Sequence, residues 1–140
     1  MRIMALDYGE KTVGVALSDE LNMTAQPFET IFRKRPTKLR RTYARLEEII
    51  DQQDVGVIVV GLPILDDGSE GERCVRVRAF ADDLKRRTDL PVYFEDERYT
   101  TAEADDILAR MDVDPRERKE YIDKIAASLI LEQYMHADSA

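Results

Sequence analysis

An α/β fold built on a five-stranded mixed sheet, in spatial order 3-2-1-4-5 and flanked by helices, follows from three features of the sequence. Two short apolar runs, over residues 2–6 and 55–60, have the unbroken hydrophobicity of strands covered on both faces. Between them Leu39, Tyr43, Leu46, Ile49 and Ile50 recur at helical spacing, and strand, helix, strand implies a right-handed crossover with parallel pairing. Ahead of that helix, strand-like segments joined by short turns call for antiparallel pairing.

Taken in order, the first strand runs Ile3-Met4-Ala5-Leu6 and ends at Asp7, followed by a turn through Tyr8-Gly9-Glu10-Lys11. A buried, unpaired carboxylate costs several kcal/mol or neutralises itself, so Asp7 is expected at the sheet rim, facing water, a cation or a partner. A turn Asp closing a hairpin explains this stretch equally well. Thr12-Val13-Gly14-Val15-Ala16-Leu17-Ser18 is the second strand, β-branched and apolar, and residues 24–31 supply a third. Pro27 cannot donate to a ladder, which puts the third strand at the sheet edge. After the fourth strand, Gly61-Leu62-Pro63 is a stop. The polar stretch from Leu65 to Glu72 carries Gly68, Ser69 and Gly71 and reads as a mobile loop. Val77, Phe80, Ala81 and Leu84 mark the next helix, and residues 91–95 a fifth strand leading into Asp96-Glu97-Arg98. Thr100 with Glu103 has the form of a capping box. The helix it opens is broken by Asp112-Val113-Asp114-Pro115, and a last helix spans about 116–135. No repeat, linker or low-complexity tract interrupts residues 1–140, so one domain is expected.

Composition narrows the function. The apolar runs are far too short for a membrane span, so no membrane partner is expected, and the N-terminus lacks the form of a signal peptide. A single Cys74 and a single His136 exclude a thiolate–imidazole zinc site and a Cys–His nucleophile, and fit a cytoplasmic protein. Net charge is −8, which argues against coating nucleic acid by bulk attraction. The charge is uneven, however: Arg33, Lys34, Arg35, Lys38, Arg40, Arg41 and Arg45 crowd one acid-free window, and without them the remainder stands near −15. Such a patch is either a phosphate-binding surface or a solvated helix face. On the helical phase, Lys38, Arg41 and Arg45 face solvent. A second group of basic residues surrounds the helix at 73–87.

The predicted strand order lines up the C-terminal edges of strands one, four and five, where open α/β sheets place their sites. Asp7 and Glu97 belong to that edge. Asp123 shares a helix face with Ala126, Ala127 and Ile130, and the small alanines let the helix approach the sheet closely. Ile122, Ile125 and Leu129 supply the adjoining buried stripe. Three converging carboxylates need a cation, and an all-oxygen donor set suits Mg²⁺ or Mn²⁺. Surface ion pairs with neighbouring Lys and Arg residues are the plainer explanation of Glu97 and Asp123.

Five motifs in order, Ala5-Leu6-Asp7-Tyr8-Gly9 with Lys11, Gly14-Val15-Ala16 and Ser18-Asp19, then Gly61-Leu62-Pro63, Asp67-Gly68-Ser69-Glu70-Gly71, Asp96-Glu97-Arg98 with Thr100-Thr101, and Asp123 with Ala126-Ala127, resemble the YqgF/RuvX family across nearly the whole chain. Its members are small RNase H-like proteins described as Holliday junction resolvases and pre-16S rRNA nucleases. The resemblance implies an RNase H-like fold, a cytoplasmic location and cleavage of structured RNA or branched DNA with Mg²⁺ or Mn²⁺, two ions being expected. It makes Asp7, Glu97 and Asp123 the catalytic, metal-binding triad. Arg98 either contacts phosphate or orients Glu97. The 68–71 loop folds over substrate or is a plain hairpin tip. Tyr99 stands where Leu or Phe is commoner in the family. Symmetric junction cutting requires a homodimer, whereas RNA trimming needs only a monomer. Two other readings remain: a nucleic-acid-binding module without catalysis, and an ATP-phosphate site at Asp7-Tyr8-Gly9, for which the chain lacks a second lobe.

Overall fold

The computed structural model describes all residues except 98, 99, 115, 116 and 140, and leaves undescribed the side chains of 100–102, 105, 119, 120, 138 and 139. Its elements are β1 (Arg2–Tyr8), β2 (Thr12–Ser18), β3 (Ala25–Phe32), α1 (Arg40–Gln52), β4 (Val55–Leu62), α2 (Glu72–Thr88), β5 (Val92–Asp96), α3 (Thr100–Arg110) and α4 (Arg118–Ser139). The sheet order is β3-β2-β1-β4-β5, as the sequence predicts. β1 pairs antiparallel with β2 and parallel with β4, and β4 pairs parallel with β5.

Alternation along β1 sorts the core into two layers. Met4 and Leu6, with Val13, Val15, Ile58 and Val60, face α1 and α2, where Leu46, Ile49, Phe80 and Leu84 fill the space with large side chains. Ala5, Ala16 and Val59 face α4, against Ala127, Ile130 and Leu131. Small residues on both sides of this second layer let α4 lie close across β1, β2 and β3. The buried residues of α4 include Ala126, Ala127, Ile130 and Leu131, whereas Ile122, Ile125 and Leu129 are only half-buried.

Two local features explain the sheet's limits. In β3 the register shifts between Val15 and Ala16, which pair with Glu29 and Pro27, so the proline sits at a bulge on the outer strand. α3 ends before Asp112, whose φ of 57° lies in the left-handed region and turns the chain out of the helix. The proposed capping role of Thr100 and the continuation through Pro115 fall outside the described residues.

One expectation needs correction. β1 continues two residues past Leu6, and Asp7 pairs with Gly14 inside the ladder, so it is 8% exposed rather than open to water at the rim. The alternation that turns Leu6 and Tyr8 toward the α1–α2 layer turns Asp7 toward α4, whose backbone at Asp123 closes on Gly14, the ladder partner of Asp7.

Candidate functional site: three acidic residues beneath α4

Asp7 reaches the α4 side of the sheet from β1, and Glu97 follows directly after β5, its backbone N–H donating to the Leu62 carbonyl at 3.1 Å. Both are nearly buried, at 8% and 7% exposure. Their carboxyls share a hydrogen bond, and Asp123 adds its negative charge to both. Asp123 comes from the first half of α4 and is fixed by the Thr12 hydroxyl, which donates to its Oδ2 at 2.6 Å. The three acids named from the sequence therefore form one neighbourhood.

Two glycines make that neighbourhood possible. A β-carbon at Gly14 would overlap the backbone of Asp123 itself, so the absent side chain sets how near α4 comes. At Gly61 a β-carbon would fall 2.8 Å from Glu97 Oε2 and 2.5 Å from Ile130 Cδ1. From the sequence Gly14 is only a motif position, Gly61 part of a strand stop and Thr12 an ordinary strand residue; β4 in fact runs through Gly61 to Leu62. The available signal was glycine in the middle of two otherwise β-branched strands, which marks close approach of another group.

Burial, then proximity to other acids, controls the protonation of the pair. Desolvation raises Asp7 from its ordinary 3.8 to about 6, despite the hydrogen bond from Glu97; Asp123 raises it further and Arg73 opposes. Glu97 is pushed up to about 10 by desolvation first, then by the charge of Asp7 and the hydrogen bond it makes to Asp7. The protonated Glu97 carboxyl thus donates to the Asp7 carboxylate, and the two titrate as a unit. Among the described residues no three acids converge closely enough to chelate one ion. The donor chemistry nevertheless fits a hard dication, because two desolvated carboxyls now share a proton where a cation offsets both charges.

The basic window divides. Lys34, Arg35, Lys38, Arg40 and Arg41 are exposed, as a phosphate-binding surface requires. Arg33 is not: it is 8% exposed, lies over the Tyr8 ring at 4.7 Å, and its Nη2 donates to the Glu10 carbonyl at 2.7 Å and to that of Gly9 at 2.5 Å. It follows β3 directly and is spent on holding the β1–β2 turn. Arg45 does not face solvent freely either, since its Nη2 and Nε donate to Glu29 at 2.6 and 2.9 Å. Helical phase alone could not reveal an acid arriving from β3. On α2, Arg78 is similarly engaged by Glu70 at 2.7 Å. Arg98 and Tyr99 lie outside the described residues.

The segment with Gly68, Ser69 and Gly71 forms a hydrogen-bonded turn: Leu65 N–H donates to Ser69 O at 2.9 Å, and the Ser69 hydroxyl to Asp67 Oδ1 at 2.6 Å. Gly68, at φ 87°, is the residue whose backbone requires glycine. Tyr8 stacks on Phe80 at 4.3 Å with Arg33 over its ring, so it serves the core edge.

Two clefts flank the sheet. One of about 500 Å³ lies at the far rim, by Arg2, Ser18 and Gln53, away from the acids. The other, of about 710 Å³, opens beside Tyr8 between the chain entering α1 and the start of α2.

Residues 1–137 match the family model described as RuvX, Holliday junction resolvase. The chain belongs to that family. A Lachnospira eligens protein named "Putative pre-16S rRNA nuclease" is 56% identical over 137 residues, covering 98% of each chain. One of the same name from Agathobacter rectalis is 50% identical over 135 residues, covering 96% of this chain and 94% of its own. Among solved structures, Thermus thermophilus RuvC in complex with a Holliday junction substrate aligns with a TM-score of 0.59 at 15% identity, covering 100% of this chain and 97% of that one. The fowlpox virus resolvase bound to Holliday junction DNA also gives 0.59, at 13% identity and full coverage of both chains. The RuvX-family chain thus has the RNase H-like fold of the RuvC-like resolvases. No helix among its described residues is long and apolar enough to cross a membrane.

Proposed function

We propose that this RuvX-family protein is a divalent-metal-dependent endonuclease that hydrolyses phosphodiester bonds in structured nucleic acid. The observation that carries this reading is the buried Asp7–Glu97 pair with Asp123 beside it: three acids assembled from distant parts of the chain, desolvated enough that two share a proton. Asp7, Glu97 and Asp123 would hold Mg²⁺ or Mn²⁺, two ions in the full site. When bound, such ions activate water and stabilise the leaving oxygen of a phosphodiester.

The chain's own residues supply the rest. Thr12 orients Asp123, Gly14 and Gly61 admit α4 and Glu97, and Arg73 offsets negative charge at both carboxyls. Exposed Lys34, Arg35, Lys38, Arg40 and Arg41 hold the phosphate backbone. Maturation of the 16S rRNA precursor is supported by the names of the close relatives, and junction resolution by the family description. The first needs only a monomer and the second a homodimer, both acting in the cytoplasm.

One observation favours a second reading, binding without cleavage: the acids are closed on a proton rather than opened around one point. Incubating the protein with four-way junctions, single strands and ribosomal precursor RNA, in Mg²⁺ and in Mn²⁺, decides between them. Metal-dependent cleavage of any substrate supports the enzyme. Binding with no cut in either metal leaves the module.

A further inference from the structure

The cleft beside Tyr8 is not part of the acidic site. Tyr8 and Asp7 point to opposite faces of β1, so the cleft lies on the α1–α2 side while the carboxyls lie under α4. The two meet at Arg73, which lines the cleft and also acts electrostatically on Asp7 and Glu97. The volume of about 710 Å³ lies within the range of small-ligand sites.

Its lining is of two kinds. Pro36, Leu39 and Ala79 are at least partly accessible and form an apolar wall above buried Val77 and Phe80. Arg73 and Arg76 are exposed at the α2 side of the mouth; Arg73 has no ion pair within 4 Å among the described residues, and Arg76 only a loose one of 3.9 Å to Glu72. Two acids also line the space. Asp83 is already met by Arg86 and by the Tyr43 hydroxyl, which leaves Glu10 as an acceptor for an exocyclic amino group. Arg33 also lines the cleft, but its Nη2 is taken by the Gly9 and Glu10 carbonyls and its Nη1 is closed off from solvent, so it offers the cleft no free donor.

We propose that this cleft is a nucleotide subsite, taking one unpaired nucleotide of the bound strand with its base against the Leu39–Ala79 wall and its phosphate between Arg73 and Arg76. The assignment rests on the reading of the protein as a nuclease for structured nucleic acid. A paired base cannot enter a one-sided cleft between two chain segments, so the subsite selects strands with a bulge, a loop or an exchange point near the cut. Stacking on Tyr8 is not part of the recognition, since Phe80 and Arg33 already pack against its ring.

The test uses the full chain in Ca²⁺, a condition chosen for binding, and compares three RNA duplexes: fully paired, with a single bulged nucleotide, and with the same bulge lacking its base. The bulged duplex is expected to bind about tenfold tighter than the abasic one, the scale of burying about 55 Å² of base against an apolar wall. Ala79→Trp and Thr37→Trp, both at exposed positions of the lining, are expected to abolish that difference while keeping the wild-type circular dichroism spectrum. Equal affinity for base and abasic bulges in the wild type overturns the subsite, as does a difference that survives both tryptophans. The nuclease reading fails separately: a protein that shows the base effect yet cuts nothing in Mg²⁺ or Mn²⁺ keeps the subsite and loses the enzyme.

Discussion

The two faces of β1 are built from the same strand to opposite ends. Toward α1 and α2, Met4 and Leu6 meet Leu46, Ile49, Phe80 and Leu84, a layer of large side chains that buries apolar area for stability. Toward α4, Ala5 and Ala16 meet Ala127, and the polar residues Asp7, Thr12 and Asp123 occupy the far end of the same layer. Less apolar volume is buried there, and two desolvated acids are held beside a third. One face stabilises the fold; the other gives up some of that stability to bring the α4 backbone against Gly14 and the charge of Asp123 beside two buried carboxyls.

The sharpest way to break this comparison is Asp7→Asn. Cleavage should fall by on the order of a thousandfold or more, the scale of losing several kcal/mol of metal-assisted stabilisation, with nucleic-acid binding changed only a few-fold. Undiminished cleavage in Mn²⁺ removes Asp7 from the chemistry.

Next in size is a crossed pair of variants. Leu46→Ala, on the large-residue face, should cost about 2–5 kcal/mol in denaturant unfolding while the folded fraction cleaves normally. Gly14→Ala should cost about 1–3 kcal/mol by overpacking yet reduce cleavage more than tenfold, because α4 and Asp123 must retreat. If Gly14→Ala cleaves like wild type, the close approach is irrelevant to function.

Thermal unfolding against pH sharpens the contrast. A carboxyl raised in the folded state contributes stability below its unfolded pKa and loses it as pH rises through the folded value. For Asp7 that loss runs from about 4 to about 6, worth up to about 3 kcal/mol, and Glu97 extends it toward 10. Without metal, Tm should decline across this window, Asp7→Asn should flatten the decline, and Mg²⁺ at pH 8 should restore stability. A Tm that rises from pH 5 to 8 without metal contradicts the shared-proton arrangement.

Smaller effects separate support from binding. Thr12→Val should lower cleavage by about tenfold with little change in affinity, since it releases a ligand's orientation. Neutralising Arg40 and Arg41 together should flatten the salt dependence of nucleic-acid binding by about one unit per lost phosphate contact, whereas Arg45→Ala should weaken stability by up to about 1 kcal/mol and leave that slope alone. A slope that responds to Arg45 and not to Arg40 and Arg41 reverses the division of the basic window.

The fold was legible because its strands carry their burial in plain sight: the runs at 2–6 and 55–60 announce central strands, and Pro27 announces an edge. The three acids were legible through strand ends and the Ala126-Ala127 spacing on α4. Local pattern could not show what partners arrive from elsewhere. Arg33 reads as surface charge until the β1–β2 turn is seen to need its donors, and Arg45 until Glu29 comes beside it. Thr12 looks like an ordinary β-branched strand residue until α4 crosses over it. On α4 the sheet takes the face of Ala127, Ile130 and Leu131, and Ile122, Ile125 and Leu129 beside it stay half-buried.

The order of elements has a consequence for the timing of activity. Asp7 emerges with the first strand, but its companion Asp123 rides on α4, the last element, which closes over strands made long before. A nascent chain can therefore complete its entire five-stranded sheet and still be chemically silent.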